Sequence, residues 1–399
     1  MIPITIVFLQ IEGEYFMTQT ESTLLALLRA SLYGTPAELQ ADTDWAAVLS
    51  EANAQTVTAL AAKALPDTLT EAQRQPWKNA QYAQLANYVR YLAAQDELCR
   101  LFEAARIPMV ILKGSAAALY YPQPSLRMMG DIDFLVPEEA FSHAHELLLQ
   151  AGYSCHGEEG MRHTAYKKNG VEFEMHRRFS YHSLDIESYI TDGLHHTESG
   201  MIDGHAFPML PRLANGLVLL GHMREHLRVG LGLRQVIDWM MYVERELDDA
   251  FWRDTFCAVA KEKNLDTLAI TTTRLCQKYL GLSECITWCA GADDALCELL
   301  LENLFRSGNF GKKNSSGNLV QGVMVNIRRE GLFPYLQRIG ERDWELYHQH
   351  RWLKPFAWLH EGLVFFRKYI ELRRKGKHVL SNVPQSSDRY EMMKRLRLY

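Results

Sequence analysis

Between Met109 and Val136 the chain runs strand, tight turn, helix, strand, and this order limits the segment to a sheet with a helix packed on it. Met109-Val110-Ile111-Leu112 is a short apolar run of strand type, and Lys113-Gly114-Ser115 follows it directly. Gly114 permits a tight turn and lets a ligand approach the backbone. Ser115 to Tyr120 is Ala-rich and predicts a helix opening from that turn. Its unpaired N–H groups and positive dipole end would seat a phosphate. A second strand is predicted over Asp131 to Val136, where Asp131 and Asp133 project from one face. Two carboxylates so placed repel unless a hard cation lies between them. Mg²⁺ suits such a pair, because it takes few protein carboxylates and completes its octahedron with substrate phosphates.

A third carboxylate is available further along. Gly170-Val171-Glu172-Phe173-Glu174-Met175-His176 alternates polar and apolar residues, the pattern of a half-buried strand. Glu172, Glu174 and His176 share one face, so strand parity leaves Glu172 and Glu174 equivalent. Beside the Asp131–Asp133 strand, this face would converge several carboxylates. Two-metal phosphoryl-type transfer uses such a cluster, with ions about 3.5–4 Å apart clamping the attacking and leaving oxygens.

The ordered set of Gly114-Ser115, Asp131-x-Asp133 and a later strand carboxylate resembles the nucleotidyltransferase superfamily typified by DNA polymerase β. Within it, Leu112-Lys113-Gly114-Ser115, Tyr121-Pro122, Arg127 and Gly130-Asp131-Ile132-Asp133-Phe134-Leu135-Val136 resemble the core of a group of uncharacterised nucleotidyltransferases. Glu174-Met175-His176 matches that group's carboxylate-apolar-His element. Gly221-His222, His226, Leu233-Arg234 and Asp238-Trp239 resemble its helical half. The resemblance spans roughly residues 85 to 310. One departure is the fifteen residues between Ser115 and Asp131, longer than the superfamily's usual gap.

The resemblance implies metal-dependent transfer of a nucleoside monophosphate from a nucleoside triphosphate to a hydroxyl or phosphate acceptor. Asp131, Asp133 and Glu174 would be the catalytic and metal-holding residues, with Glu174 preferred over Glu172. Mg²⁺ is the expected ion, with Mn²⁺ as a substitute. Lys113, Gly114, Ser115 and Arg127 would bind the nucleotide. Lys113 can act as a point charge and Arg127 as a fork, although a strand-end lysine and a loop arginine are also ordinary surface residues. The acceptor, whether a small molecule, sugar, peptide, protein or RNA, is not legible.

Composition frames this reading. The chain has 399 residues, 47% hydrophobic and 23% charged, the make-up of a globular protein large enough for two or more units. A formal charge of −5 supplies no global field for nucleic acid. The seven cysteines include no Cys-x-x-Cys pair, and Cys285 and Cys289 lie four apart as on successive helical turns. A reduced, cytoplasmic protein is the expectation. No run reaches the length of a membrane span. Residues 1–16 lack a basic n-region, and Met17-Thr18-Gln19 reads as a more conventional start, so 1–16 is expected to be a start-site extension.

Helical periodicity precedes the strands, at Leu24, Leu25, Leu27, Leu28 and again at Tyr82, Leu85, Tyr88, Val89, Leu92. Helices are expected again after them, over Leu213–Leu227, Leu233–Arg245, Phe251–Lys263 and Leu265–Leu280. The expected architecture is α+β, with a small mixed nucleotidyltransferase-type sheet flanked by N-terminal and C-terminal helical regions. The expected divisions are 17–106 helical, 107–210 nucleotidyltransferase core and 211–399 helical.

Two rival chemistries are carried forward. His222-Met223-Arg224-Glu225-His226 fits H-x-x-E-H, an inverted zinc-peptidase pattern in which the histidines hold zinc and Glu225 is the base. It needs a third ligand, for which Glu298 or Glu302 is the candidate. A fold that has kept its scaffold and lost turnover, acting in binding or assembly, is the other. Ser307-Gly308-Asn309-Phe310-Gly311-Lys312-Lys313 lacks P-loop spacing, yet as a glycine-rich loop it can close over a site.

Overall fold

Strand positions in this chain are fixed by two hairpin turns that need left-handed backbone. Asn169-Gly170 and Asp203-Gly204 all have positive φ, between 48° and 84°, as a two-residue primed turn requires. In the computed structural model, which describes residues 17–159, 163–179, 185–314, 326–374 and 383–398, seven strands form one mixed sheet. The extension 1–16 lies outside the described residues.

The strands are β1 (Val110–Leu112), β2 (Ile132–Leu135), β3 (Ser154–Glu159), β4 (His163–Lys168), β5 (Val171–His176), β6 (Glu198–Ile202) and β7 (His205–Met209). Their order is β3-β4-β5-β2-β1-β7-β6. β2 runs antiparallel to β1 and parallel to β5. Every residue of β1 and β2 is buried, as expected for central strands covered on both faces. The register aligns Leu112, Asp133 and Glu174 across three adjacent strands.

Helices precede and follow the sheet, so the α+β expectation holds, with more strands than a small core alone needs. The first four are α1 (Gln19–Tyr33), α2 (Trp45–Ala54), α3 (Thr58–Ala62) and α4 (Glu71–Ala104). α1 and α4 each open on a Thr capping box, Thr18 with Glu21 and Thr70 with Gln73. At 34 residues, α4 is about 51 Å long at 1.5 Å per residue. Its buried side differs from the sequence expectation: Tyr82, Leu85 and Val89 are exposed, while Gln84, Tyr88, Tyr91, Leu92 and Gln95 are buried. The stripe is polar because it meets loop backbone rather than apolar core. α5 (Gly114–Ala118), α6 (Phe141–Gln150) and α7 (Glu187–His195) decorate the sheet, and α8 (Arg212–His226) packs on α9 (Leu233–Glu246). Further helices continue at Asp266–Leu280, Asp294–Ser307, Leu332–Asp343, Ala357–Arg374 and Val383–Arg395. Among the described residues no helix is long and apolar enough to cross a membrane.

Candidate active site

The polar stripe of α4 builds the floor of the site. Gln84 donates to the Arg127 carbonyl at 2.7 Å, Asn87 to the Met129 carbonyl at 2.9 Å, and Tyr91 to the Asp131 carbonyl at 2.6 Å. Gln95, one turn on, accepts from Ser115 Oγ at 2.7 Å. Positions 84, 87, 91 and 95 lie along one helix face, so a single rigid element pins both the turn after β1 and the entry to β2.

That turn is strained. Lys113 has φ 49° and Gly114 φ 30°, and a left-handed lysine persists only where its surroundings over-determine it. A Cβ at Gly114 would lie 2.5 Å from Tyr91 Oη, so glycine is required by contact as well as by φ. The conformation turns Lys113 back over β2, where its Nζ sits 2.8 Å from Asp133 Oδ1.

His176 Nε2 reaches the same Asp133 Oδ1 at 2.9 Å and stands 3.6 Å from Glu174 Oε2; His163 Nε2 stands 4.0 Å from that Glu174 oxygen. Burial opposes ionisation of Asp133, but Lys113 and His176 together hold its carboxyl well below the usual range. Its neighbour behaves oppositely. Asp131 is pushed up to about 6, chiefly by the Asp133 charge and then by burial. His176 is disfavoured as a cation by burial, yet its bonds to Asp133 and Glu174 raise it above the ordinary histidine value.

The other wall comes from helices. Arg127 is buried and forks onto Asp238 of α9, Nε to Oδ1 at 2.7 Å and Nη2 to Oδ2 at 2.8 Å, while Tyr121 donates to the same Oδ1 at 2.8 Å. Arg234, also on α9, donates to the Met128 carbonyl at 3.3 Å. His222 and His226 of α8 meet Nε2 to Nε2 at 2.8 Å, and Phe310 packs edge-on to His226 with ring centroids 4.5 Å apart. Burial holds both histidines below the ordinary value, His226 at about 3.

These side chains surround one cavity of about 270 Å³, lined by Lys113, Gly114, Arg127, Asp131, Asp133 and Glu174 together with His163, His176, His222, His226, Arg234 and Phe310. Six of the seven residues singled out in the sequence thus share one space. The seventh, Ser115, is fully buried with its hydroxyl committed to Gln95. α5 is five residues long, too short to supply the dipole expected of it. Glu172 is separated from Glu174 by its partners, Lys167 and His156 at the sheet surface.

The donor set fits a divalent cation. Asp133, Glu174 and His176 each offer one ligand atom, and the three lie within 4.8 Å of one another. His176 Nε2 is 2.9 Å from Asp133 Oδ1 as its hydrogen-bond partner and 3.6 Å from Glu174 Oε2, so the oxygen donors Asp133 and Glu174, with Asp131 in the same cavity, are the groups suited to a hard cation. The rise in Asp131 records carboxylate repulsion that a cation would relieve. The zinc-peptidase pattern is not completed. His222 and His226 bond to each other, Glu225 pairs with Arg228 at 3.4 Å, and Glu298 is engaged by Lys278 and Tyr279. Among the described residues neither histidine joins a cluster of three metal-ligating groups.

Residues 41–281 match the model of a family described as uncharacterised nucleotidyltransferase. The chain belongs to that family. Its matched span begins in the N-terminal helices and ends with the helix Asp266–Leu280, so α4, the sheet and α8–α9 are all family structure. A solved structure of an antigenic nucleotidyltransferase-like protein from Paracoccidioides brasiliensis is similar at 14% identity, covering 48% of this chain and 92% of its own, with a TM-score of 0.31. No curated protein matches the chain.

Sequence reasoning missed His163 as a lining residue and reached Phe310 only as part of the glycine-rich segment 307–313. It read Arg234 and Asp238, at i and i+4, as a helix-surface pair or a boundary of the acceptor site, with the pair preferred. His163 was findable. The Asn169-Gly170 turn, counted outward as a two-residue hairpin, pairs His163 with His176, the register observed.

Proposed function

We propose that this family member is a metal-dependent nucleotidyltransferase that moves a nucleoside monophosphate from a nucleoside triphosphate to a hydroxyl or phosphate acceptor. The observation that carries the reading is the convergence of Asp131, Asp133, Glu174 and Lys113 in one cavity, within the span that matches a family so described. Residues 107–210 would be its core, with the helices of 17–106 and 211–399 completing the walls.

Asp131, Asp133 and Glu174 would hold Mg²⁺ or Mn²⁺. The bound ion would supply charge neutralisation of the phosphates and of the departing pyrophosphate. Asp133 stays ionised at neutral pH because Lys113 and His176 face it. Glu174 would take the proton of the acceptor hydroxyl. His176, bonded to Asp133 and close to Glu174, would orient both. Lys113 would move from Asp133 onto phosphate as a point charge when the carboxylates are otherwise compensated. The backbone of the Gly114 turn, rather than the Ser115 hydroxyl, would face the phosphates.

A melting-temperature series tests this reading. Each nucleoside triphosphate is added with and without Mg²⁺ to wild type and to the Asp131→Asn/Asp133→Asn protein. A nucleotide at a hundred times its dissociation constant adds about 2.7 kcal/mol. The expected result is a Mg²⁺-dependent rise for at least one nucleotide, abolished in the double variant. No rise with any of the four would overturn active transfer and favour a scaffold that has lost turnover.

A further inference from the structure

Arg234 is the charged group of the cavity whose position the interior does not explain. It lies in the first turn of α9, four residues before Asp238, the spacing of a helix-surface ion pair. That pair does not form. Both Asp238 oxygens are taken by the Arg127 fork, and Tyr121 adds a third donor to one of them. Arg234 is left with one contact, from Nη1 to the Met128 carbonyl. Its Nε is enclosed and has no hydrogen-bond partner. Among the described residues it pairs with no carboxylate, while a second guanidinium, Arg127, lines the same cavity. Burial and the Arg127 charge both work against its ionisation.

A half-buried guanidinium with an enclosed Nε and no close carboxylate is stabilised when something anionic joins it. Among the described residues no carboxylate is placed to do so. Asp238, its oxygens already taken by Arg127 and Tyr121, and then Asp131 contribute only longer-range attraction, and Asp131 lies beside Asp133 on the sheet side. The missing partner must therefore come from outside. Because the same space presents metal-type donors on one wall and Arg234 on another, the ligand must carry oxygens that chelate a cation and further anionic oxygens beyond it. A polyphosphate has that chemistry. Guanidinium is also the side chain whose planar fork matches phosphate oxygens.

We propose that Arg234 is the anchor for the pyrophosphate end of the nucleoside triphosphate. In this arrangement Arg127 is a structural cation, and Asp238 is a positioning residue that keeps Arg127 out of competition for phosphate. The inference rests on the transferase reading and names the residue that grips its donor substrate. It also reassigns the guanidinium fork from the loop before β2 to the helical half.

Inorganic tripolyphosphate with Mg²⁺ is the probe, titrated calorimetrically into wild type, Arg234→Met and Arg234→Lys. Mn²⁺ binding alone, read by electron paramagnetic resonance, is the control for an intact carboxylate site. Arg234→Met is expected to weaken tripolyphosphate binding at least about tenfold, with Arg234→Lys recovering part and Mn²⁺ binding within about twofold of wild type. In wild type, phenylglyoxal modification of Arg234, followed by peptide mass spectrometry, is expected to be blocked by Mg²⁺-tripolyphosphate. That readout stands even where a variant folds poorly. Equal affinity in wild type and Arg234→Met, with Arg234 modified as fast in the presence of the probe, overturns the proposal and leaves the transferase reading standing. Binding that depends on Arg234 but is indifferent to Mg²⁺ and to Asp131→Asn/Asp133→Asn supports the anion site and sinks the transferase reading. No binding of tripolyphosphate by wild type overturns both.

Discussion

The two walls of the cavity handle charge in opposite ways. On the sheet wall, Asp133 is compensated twice from within, by Lys113 at 2.8 Å and by His176 at 2.9 Å. On the helix wall, Arg127 is fully satisfied by Asp238 while Arg234, on the same helix, is not. Compensated charges in this protein tie elements together: Lys113 joins the β1 turn to β2, and Arg127 joins the loop before β2 to α9. The charges left under-compensated, Asp131 and Arg234, are those that a metal-bound phosphate would complete. On the proposed reading, Asp131 and Arg234 would await the substrate from the outset, whereas Lys113 and Asp133 would be released to it from their mutual pairing.

The largest effect that can break this comparison is on turnover. Asp131→Asn is expected to lower nucleotide-dependent pyrophosphate release by on the order of 10²–10³-fold or more. Its metal-free melting temperature should hold or rise, because the substitution removes the repulsion that lifts Asp131 to about 6. A melting temperature that falls by many degrees would make Asp131 a structural residue and erase the distinction drawn above.

Next comes the helix wall. Asp238→Ala leaves Arg127 buried without its partner and removes the acceptor of Tyr121. The expected loss is about 3–5 kcal/mol in urea unfolding. The double variant Arg127→Met/Asp238→Leu should lose clearly less than the sum of the single substitutions, because an apolar pair carries no desolvation cost. Additive losses would mean that Arg127 and Asp238 act separately. The same treatment of Arg234 should cost little stability, since among the described residues it holds only the Met128 carbonyl, at 3.3 Å, and no carboxylate.

Much of the sheet wall was legible because its chemistry follows from local order. A glycine turn, a carboxylate pair at i and i+2 and an alternating strand each carry their own geometry. Their meeting at Leu112, Asp133 and Glu174 depends on a parallel register that no local pattern fixes. The helix wall was poorly legible for a specific reason. An Arg234–Asp238 spacing predicts a pair, yet a loop arginine more than a hundred residues earlier captures the aspartate through a bidentate fork that the i,i+4 geometry cannot match. Likewise α4 was read by its apolar residues, whereas Gln84, Asn87, Tyr91 and Gln95 do the positioning. Polar side chains that satisfy distant carbonyls leave no periodic hydrophobic trace. Glu172 and Glu174, equivalent by parity and distinguished beforehand only by the family resemblance, differ in their partners once β4 and its Lys167 are in place.

A sharper and smaller test concerns how the turn is held. Gly114→Ala places a methyl 2.5 Å from Tyr91 Oη at a φ of 30°, and is expected to cost about 1–3 kcal/mol. Tyr91→Phe removes that oxygen and also the 2.6 Å bond to the Asp131 carbonyl. In the Gly114→Ala background, Tyr91→Phe should therefore cost less than it does alone, by a measurable coupling term. Equal costs in both backgrounds would show that the strain at Gly114 is backbone strain only and that α4 does not set the turn.

The smallest expected effect is a pH slope that tells the two walls apart. His226 is held at about 3 by burial, helped by the Lys113 and Arg234 charges, and burial likewise depresses His222. In the unfolded chain both return to about 6.5. A depressed histidine means that the unfolded state binds more protons between these values, so stability is fully present above about 6.5 and falls as pH drops towards 3. Asp131 has the opposite sign: raised to about 6 from its ordinary 3.8, it makes the folded state the better proton binder over that interval, and folding gains as pH falls through it. Urea unfolding at pH 7.5 and 5.5 should therefore be compared between wild type and His226→Gln, so that the Asp131 contribution cancels. Wild type is expected to lose roughly 1 kcal/mol more than the variant over this interval. An equal loss would show that folding leaves His226 unshifted, and a smaller loss than the variant's would place a proton on the His222–His226 pair already at neutral pH. The helix wall would then carry an extra positive charge, and Arg234 would share its phosphate with an imidazolium.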